Sequence, residues 1–131
     1  LLEVLQSDAK IPAKEYVCRQ LALIGTGRSV PVLAKMLHDN DLSDCARFAL
    51  EGIPDSSVDK ALRTTLDKID GDGRVGIVNT LGERCDRKAI PVLSKMRNSP
   101  DKTLAAAAEA SLRKIAAREA HDPVCHGRGA R

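Results

Sequence analysis

The sequence predicts an all-α fold: an α–α superhelix, or solenoid, of about three helical hairpins with half-repeats at both ends. Three observations predict it. First, Ser29-Val30-Pro31-Val32-Leu33-Ala34-Lys35-Met36-Leu37 returns almost unchanged as Ala89-Ile90-Pro91-Val92-Leu93-Ser94-Lys95-Met96-Arg97, with a diverged copy at Val58–Leu66 between them. Second, two sets of leucines keep one beat: Leu33, Leu62 and Leu93 lie 29 and 31 residues apart, and Leu21, Leu50, Leu81 and Leu112 lie 29, 31 and 31 apart. A period near thirty marks an array in which each unit buries its apolar face only against its neighbours. Third, aromatic residues make up 2% of the 131 residues, with no Trp. A sandwich or barrel needs more aromatic and β-branched side chains than that, whereas Ala, Leu, Lys, Arg and Glu favour helix.

The repeats are expected at 12–41, 42–70 and 71–101, with a half-repeat at 102–117; the solenoid then spans 1–117, and 118–131 is expected as a flexible tail. Leu1–Asp8 resembles the end of a second helix, since Leu1 and Leu5 share the spacing of Leu33 and Leu37, so the chain reads as starting midway through a repeat. In the first repeat a helix over Ala13–Ile24 turns Val17, Leu21 and Ile24 inward, and Pro12 stands at its start, where a missing N–H is harmless. Gly25-Thr26-Gly27 ends it, and Thr26 caps a second helix over Arg28–His38 that buries Leu33, Met36 and Leu37.

In the second repeat Asp41 or Ser43 is expected to cap a helix burying Ala46, Ala49, Leu50 and Ile53. Asp55 takes the capping place of Thr26, and Ser57–Ile69 buries Val58, Leu62, Leu66 and Ile69. The third repeat opens at Gly71-Asp72-Gly73 and buries Val75, Ile77, Val78 and Leu81. There Asp86 caps Arg87–Met96, whose inward residues are Ile90, Leu93 and Met96. Asp101 then caps the alanine-rich half-repeat, Lys102 to about Ala117.

Chemistry is sparse. Net charge is +3, unevenly placed: residues 1–70 hold nine Lys/Arg against eleven Asp/Glu, and residues 71–131 hold twelve against seven. A basic half is one signature of nucleic-acid binding, though charge so dispersed also suits a solvated surface. Cys18, Cys45, Cys85 and Cys125 form no CxxC pair, so they read as small thiols rather than a zinc site or a disulfide framework. Cytoplasm is the favoured compartment. No stretch approaches twenty uninterrupted apolar residues, so no membrane span is expected. His38, next to Asp39 and Asp41, reads as a helix-terminal surface residue rather than a base or metal ligand. Cys125-His126 lacks the first cysteine of a haem attachment motif, because Asp122 stands there. Asp70-Gly71-Asp72-Gly73 lacks the downstream Glu of a calcium loop.

The residues Leu21-Ala22-Leu23-Ile24-Gly25 with Ser29-Val30-Pro31-Val32-Leu33, and Leu81-Gly82 with Ala89-Ile90-Pro91-Val92-Leu93, resemble the HEAT-like repeat family, including the short bacterial phycobilisome-lyase type. The resemblance covers roughly residues 1–117 and implies a superhelix serving as a binding surface or scaffold. Three positions depart from it: Pro54 stands in place of the turn glycine, Asp59 stands in place of Pro31, and Arg84 stands where Ile24 and Ile53 stand, which predicts a solvated or re-packed spot. The enzymatic relatives that the resemblance brings up find little support. No His precedes a Glu as in the di-iron hydroxylases, no Trp is present to handle a flipped base as in the glycosylases, and no chromophore site of a lyase is visible.

The resemblance also implies that second helices line the concave face. Lys35, Thr64 and Lys95 fall at equivalent outward positions, with Arg63 beside Thr64 and with Arg28 and Lys88 one turn earlier. The expected function is therefore a non-enzymatic protein–protein interaction module, without cofactor or metal. Its candidate contacts to a protein or acidic peptide are Arg28, Lys35, Arg63, Lys88 and Lys95. The alternatives are an accessory segment of a larger lyase-type enzyme and backbone-type nucleic-acid binding by the basic half. End-to-end stacking on further repeats is also expected of such an array.

Overall fold

A computed structural model describes residues 1–121, which form eight α-helices and no strand: α1 Leu2–Leu5, α2 Ile11–Ile24, α3 Val30–Met36, α4 Ser43–Gly52, α5 Ser56–Leu66, α6 Gly71–Glu83, α7 Ile90–Met96 and α8 Lys102–His121. Successive first helices α2, α4, α6 and α8 pack side by side in one layer. Against them lie α1, α3, α5 and α7, with α3 on α4 and α5, α5 on α6, and α7 on α8. This is an all-α helical-repeat arrangement. The leucines that mark the period fill the space between the layers: Leu33, Leu50, Leu62, Leu81 and Leu93 are wholly buried. Truncating one of them to alanine removes a full side chain from a closed core, a loss of about 2–5 kcal/mol.

The capping positions keep the same period as the leucines. Thr26 Oγ1 accepts the Arg28 N–H, Asp55 Oδ1 accepts the Ser57 N–H, and Asp86 Oδ1 accepts the Lys88 N–H. Asp101 Oδ1 takes the Thr103 and Leu104 N–H groups at the start of α8. Each carboxylate or hydroxyl satisfies donors that a helix start leaves orphaned. The prolines shape the entry into the second helices. Pro31 and Pro91 carry no N–H, so the carbonyls of Gly27 and Arg87 instead accept from Val30 and Ile90, and short 3₁₀ turns (Gly27–Ser29, Arg87–Ala89) precede α3 and α7. Where Asp59 replaces the proline, α5 runs unbroken for 11 residues.

Several expectations are corrected. Ile24 points outward and is 65% exposed, Leu1 is exposed, and Val75, Ile69 and Ile90 are only half-buried. Neither Asp41 nor Ser43 caps α4: its N-cap is Leu42, and the Asp41 N–H turns back to Asp39 Oδ1. The last helix, expected to about Ala117, runs to His121. Its end is tied to α6, where the Arg118 guanidinium donates to the Glu83 carbonyl at 2.7 Å and Lys114 pairs with the Glu83 carboxylate, and to the 3₁₀ turn before α7, where Arg87 pairs with Glu119 at 3.0 Å. Of the expected tail, 122–131 lies outside the described residues. Cys85, read as a thiol from sequence, is disulfide-bonded, while Cys18 and Cys45 are free.

Two of the departures from the repeat, Asp59 and Arg84, meet in one place. Arg84 is not solvated; it is 2% exposed and reaches across the junction to the buried Asp59 of the preceding repeat, its Nε 2.6 Å from Oδ1 and its Nη2 3.3 Å from Oδ2. The rest of the guanidinium donates to the carbonyls of Leu50, Glu51, Ile53 and Asp55, at 2.6–3.1 Å. A cation thus sits on the carbonyl end of α4, where the helix dipole favours it, and the carboxylate balances its charge.

Candidate partner-binding surface

The second-helix layer carries the predicted contacts, but not as one ridge. Arg28 and Lys88 are exposed in the 3₁₀ turns, and their backbone N–H groups are held by the Thr26 and Asp86 side chains. Arg63 is drawn out of the surface. Its guanidinium pairs with the buried carboxylate of Asp86 across the junction of the second and third repeats. Burial pushes the Asp86 carboxyl above its ordinary value, the Arg63 hydrogen bond and charge pull the other way without cancelling it, and the Asp59 charge adds to the rise. Lys95 is exposed on α7 but lines a separate depression with Asp67, Arg74 and Pro91, so a carboxylate already stands beside it.

Lys35 occupies different ground. One face of α3 (Val30, Pro31, Ala34, Lys35 and, after the helix, His38) opposes one face of α5 (Ser57, Lys60, Ala61, Thr64, Thr65 and, after it, Lys68) across a groove of about 400 Å³. Both sets recur at three- and four-residue steps, which is why each lies on one side of its helix. Val30, Pro31, Ala34 and Ala61 form an apolar floor, and Lys35, Lys60, Lys68 and His38 stand exposed around it. Among the described residues no carboxylate lines this groove. Among the described ion pairs, Lys35, Lys60 and Lys68 take part in none, whereas Arg47, Arg63, Arg84, Arg87, Arg97, Arg113 and Lys114 are all paired. The groove is therefore a patch of uncompensated positive charge over an apolar surface. Thr64 contributes little polarity, because its hydroxyl donates to the Lys60 carbonyl of its own helix.

Sequence reasoning found Lys35 and passed over Lys60 and Lys68. The signal was present in the spacing Lys60, Thr64, Lys68, a single stripe of α5, but comparison of equivalent repeat positions looks only at one residue per helix. The opposite, first-helix layer is different in kind. Leu23 is 82% exposed, and Ile24 and Phe48 are exposed nearby on the same layer, while Leu23 and Phe48 line a depression with Glu51, Glu83 and Arg118 that mixes both charges.

Among the described residues no group of three or more His, Cys, Asp or Glu side chains is placed to hold a metal ion, and no helix is long and apolar enough to cross a membrane. In comparisons with known proteins, the chain matches no family model and no curated sequence.

Proposed function

We propose that the chain is a non-enzymatic protein-interaction module, in the manner of the HEAT-like repeats its sequence resembles, and that it receives an acidic segment of a protein partner in the α3/α5 groove. The observation that carries this reading is the set of three unpaired lysines around an apolar floor. Apolar contact supplies affinity there, and the lysines select carboxylates and steer their approach. The helices forming the walls are fixed by the core beneath them: Leu33 and Leu62 are fully buried under α3 and α5, so the groove is presented without an ordering cost on this side. Backbone-type nucleic-acid binding is less well supported, because four arginines of the basic C-terminal half, Arg84, Arg87, Arg97 and Arg113, are engaged with carboxylates of their own chain.

The test is selection of displayed peptides on the native protein, with counter-selection on a Lys35→Glu/Lys60→Glu/Lys68→Glu variant that keeps the native circular dichroism spectrum. Enrichment of acidic sequences carrying apolar residues at three- and four-residue spacing is expected, with binding that weakens as salt rises. Enrichment of basic or purely apolar sequences, or of the same sequences on both proteins, would sink the proposal.

A further inference from the structure

We propose that a depression lined by α7 and by the first turns of α6 and α8 binds a small monocarboxylate with an apolar body, and that Arg74 holds its charge. The depression, about 540 Å³, has the size of a small-molecule site. What points to a ligand is Arg74, which lines it from the first turn of α6. The Arg74 Nε is closed off from solvent, yet it donates to no acceptor among the described residues. The side chain also takes part in none of the described ion pairs. Buried polar groups are almost always paired, and a charged donor left without a partner is costly. Arg47 has one orphaned nitrogen too, but its Nη2 already meets Asp44 at 3.0 Å. Arg74 has no such partner.

The rest of the lining defines the ligand. No described bond pins the guanidinium, so rotation about its outer bonds turns the Nε edge into the depression. There a carboxylate can take two parallel bonds, from Nε and from one Nη. Ser99 supplies a further donor: its Oγ accepts the Asp101 N–H, which leaves the hydroxyl hydrogen for the ligand. Met96 and Leu104 are buried and make an apolar floor, with Val92 and Pro91 beside them, so the body of the ligand lies on hydrocarbon. Lys95 and Asp67 are both exposed, and neither enters a described ion pair. Two cations, Arg74 and Lys95, against one carboxylate, Asp67, leave a surplus of one positive charge in the lining. A single carboxylate neutralises that surplus, and Asp67 repels a second one. A free apolar acid and the C-terminal carboxylate of a chain ending in an apolar residue share this chemistry.

The experiment titrates hexanoate into the isotope-labelled native chain and follows the Arg74 Nε–H and Ser99 amide resonances by NMR. Saturable shifts at both are expected, and hexanol, hexylamine and adipate should not reproduce them. This comparison uses the native chain alone, so it stands even if a variant misfolds. At the Ser99 amide, affinity is expected to fall about tenfold or more in Arg74→Met, which loses the charge-assisted pair. Arg74→Lys keeps the charge without the fork and should bind between the two, and Asp67→Asn should admit adipate. The Lys35→Glu/Lys60→Glu/Lys68→Glu variant should bind hexanoate as the native chain does, which separates this site from the α3/α5 groove. An N-acetylated dipeptide ending in leucine identifies the source: tighter binding than hexanoate assigns the site to a chain terminus, weaker binding to a free acid. No saturable shift with hexanoate, equal shifts with hexanol or adipate, or unchanged affinity in Arg74→Met overturns the proposal.

Discussion

Replacing Arg84 by methionine is expected to be the most damaging single polar-to-apolar change in the chain. The side chain makes two bonds to Asp59 and one each to the carbonyls of Leu50, Glu51, Ile53 and Asp55. Methionine fills much of the volume but leaves Asp59, 2% exposed, without its counter-charge. Removing one partner of a buried pair costs about 3–5 kcal/mol, a large part of the roughly 5–15 kcal/mol that holds a typical domain. The two partners are not equivalent. Asp59→Asn leaves Arg84 on four carbonyls at the end of α4, which still favour a cation, so its loss is set by the charge-assisted bonds alone, about 1.5–3 kcal/mol. The double variant Asp59→Leu/Arg84→Met removes both charges and is expected to be more stable than Arg84→Met alone, since no buried charge is left without its partner and the Leu50 and Asp55 carbonyls still accept the Ile53 and Val58 N–H groups. Urea unfolding followed by circular dichroism measures all three, with the slope checked for constancy. Arg84→Met within about 1 kcal/mol of the native chain, or a double variant no more stable than Arg84→Met alone, would refute the reasoning.

Four further outcomes follow from the packing and the charges. Gly52→Ala places a methyl group against the Ala22 carbonyl at 2.3 Å, so α2 and α4 must separate, at a cost of about 1–3 kcal/mol in the same urea assay. Gly82→Ala acts likewise where α6 meets Ser111 of α8, whose side chain would lie 2.5 Å away, and it also strains the Ser111 hydroxyl bond to the Val78 carbonyl. The pH dependence of Asp86→Asn tests the sign of a buried carboxylate. A carboxyl raised in the folded state binds protons more readily there than when unfolded, so its contribution to native stability is fully present below 3.8 and is lost as pH climbs through the folded value. Asparagine does not titrate, so the variant should gain on the native chain as pH rises from below 3.8. Glu83 has the opposite sign: the Lys114 hydrogen bond, and then the Lys114 and Arg118 charges, hold it low against a smaller rise from burial. The stability it brings is present above 4.5, is lost as pH falls, and is reduced in Lys114→Met, where only the Arg118 charge still favours the carboxylate.

The period of the leucines and of the caps at Thr26, Asp55 and Asp86 was legible because helical spacing and N-cap chemistry are local properties, repeated each time the chain passes the same place. What was not legible lies between repeats. Ile24 follows the helical pattern inward, yet it ends exposed at the last turn of α2, where the neighbouring Ile53 packs over Gly25 and occupies the interior side. Arg63 looked like a surface cation because its own helix gives no hint of Asp86, 23 residues away. The groove lysines were half-seen for the converse reason: Lys35 was found by comparing repeats, but Lys60 and Lys68 belong to the one second helix that diverged.

That divergence is itself part of the design of the surface. In the second repeat Asp59 takes the place of proline, α5 becomes a continuous helix, and the carboxylate it introduces calls for the arginine that the third repeat supplies at position 84. Across the same junction Arg63 is consumed by Asp86. The charges that could have neutralised the second-helix layer are therefore spent in joining its repeats. Lys60, on the outer stripe of the same continuous helix, and Lys68, just past its end, stand opposite Lys35 and take part in none of the described ion pairs. Joining the repeats and exposing a basic groove are two results of one local departure, so variants that restore the repeat pattern at 59 and 84 should loosen the junction and displace the groove wall together.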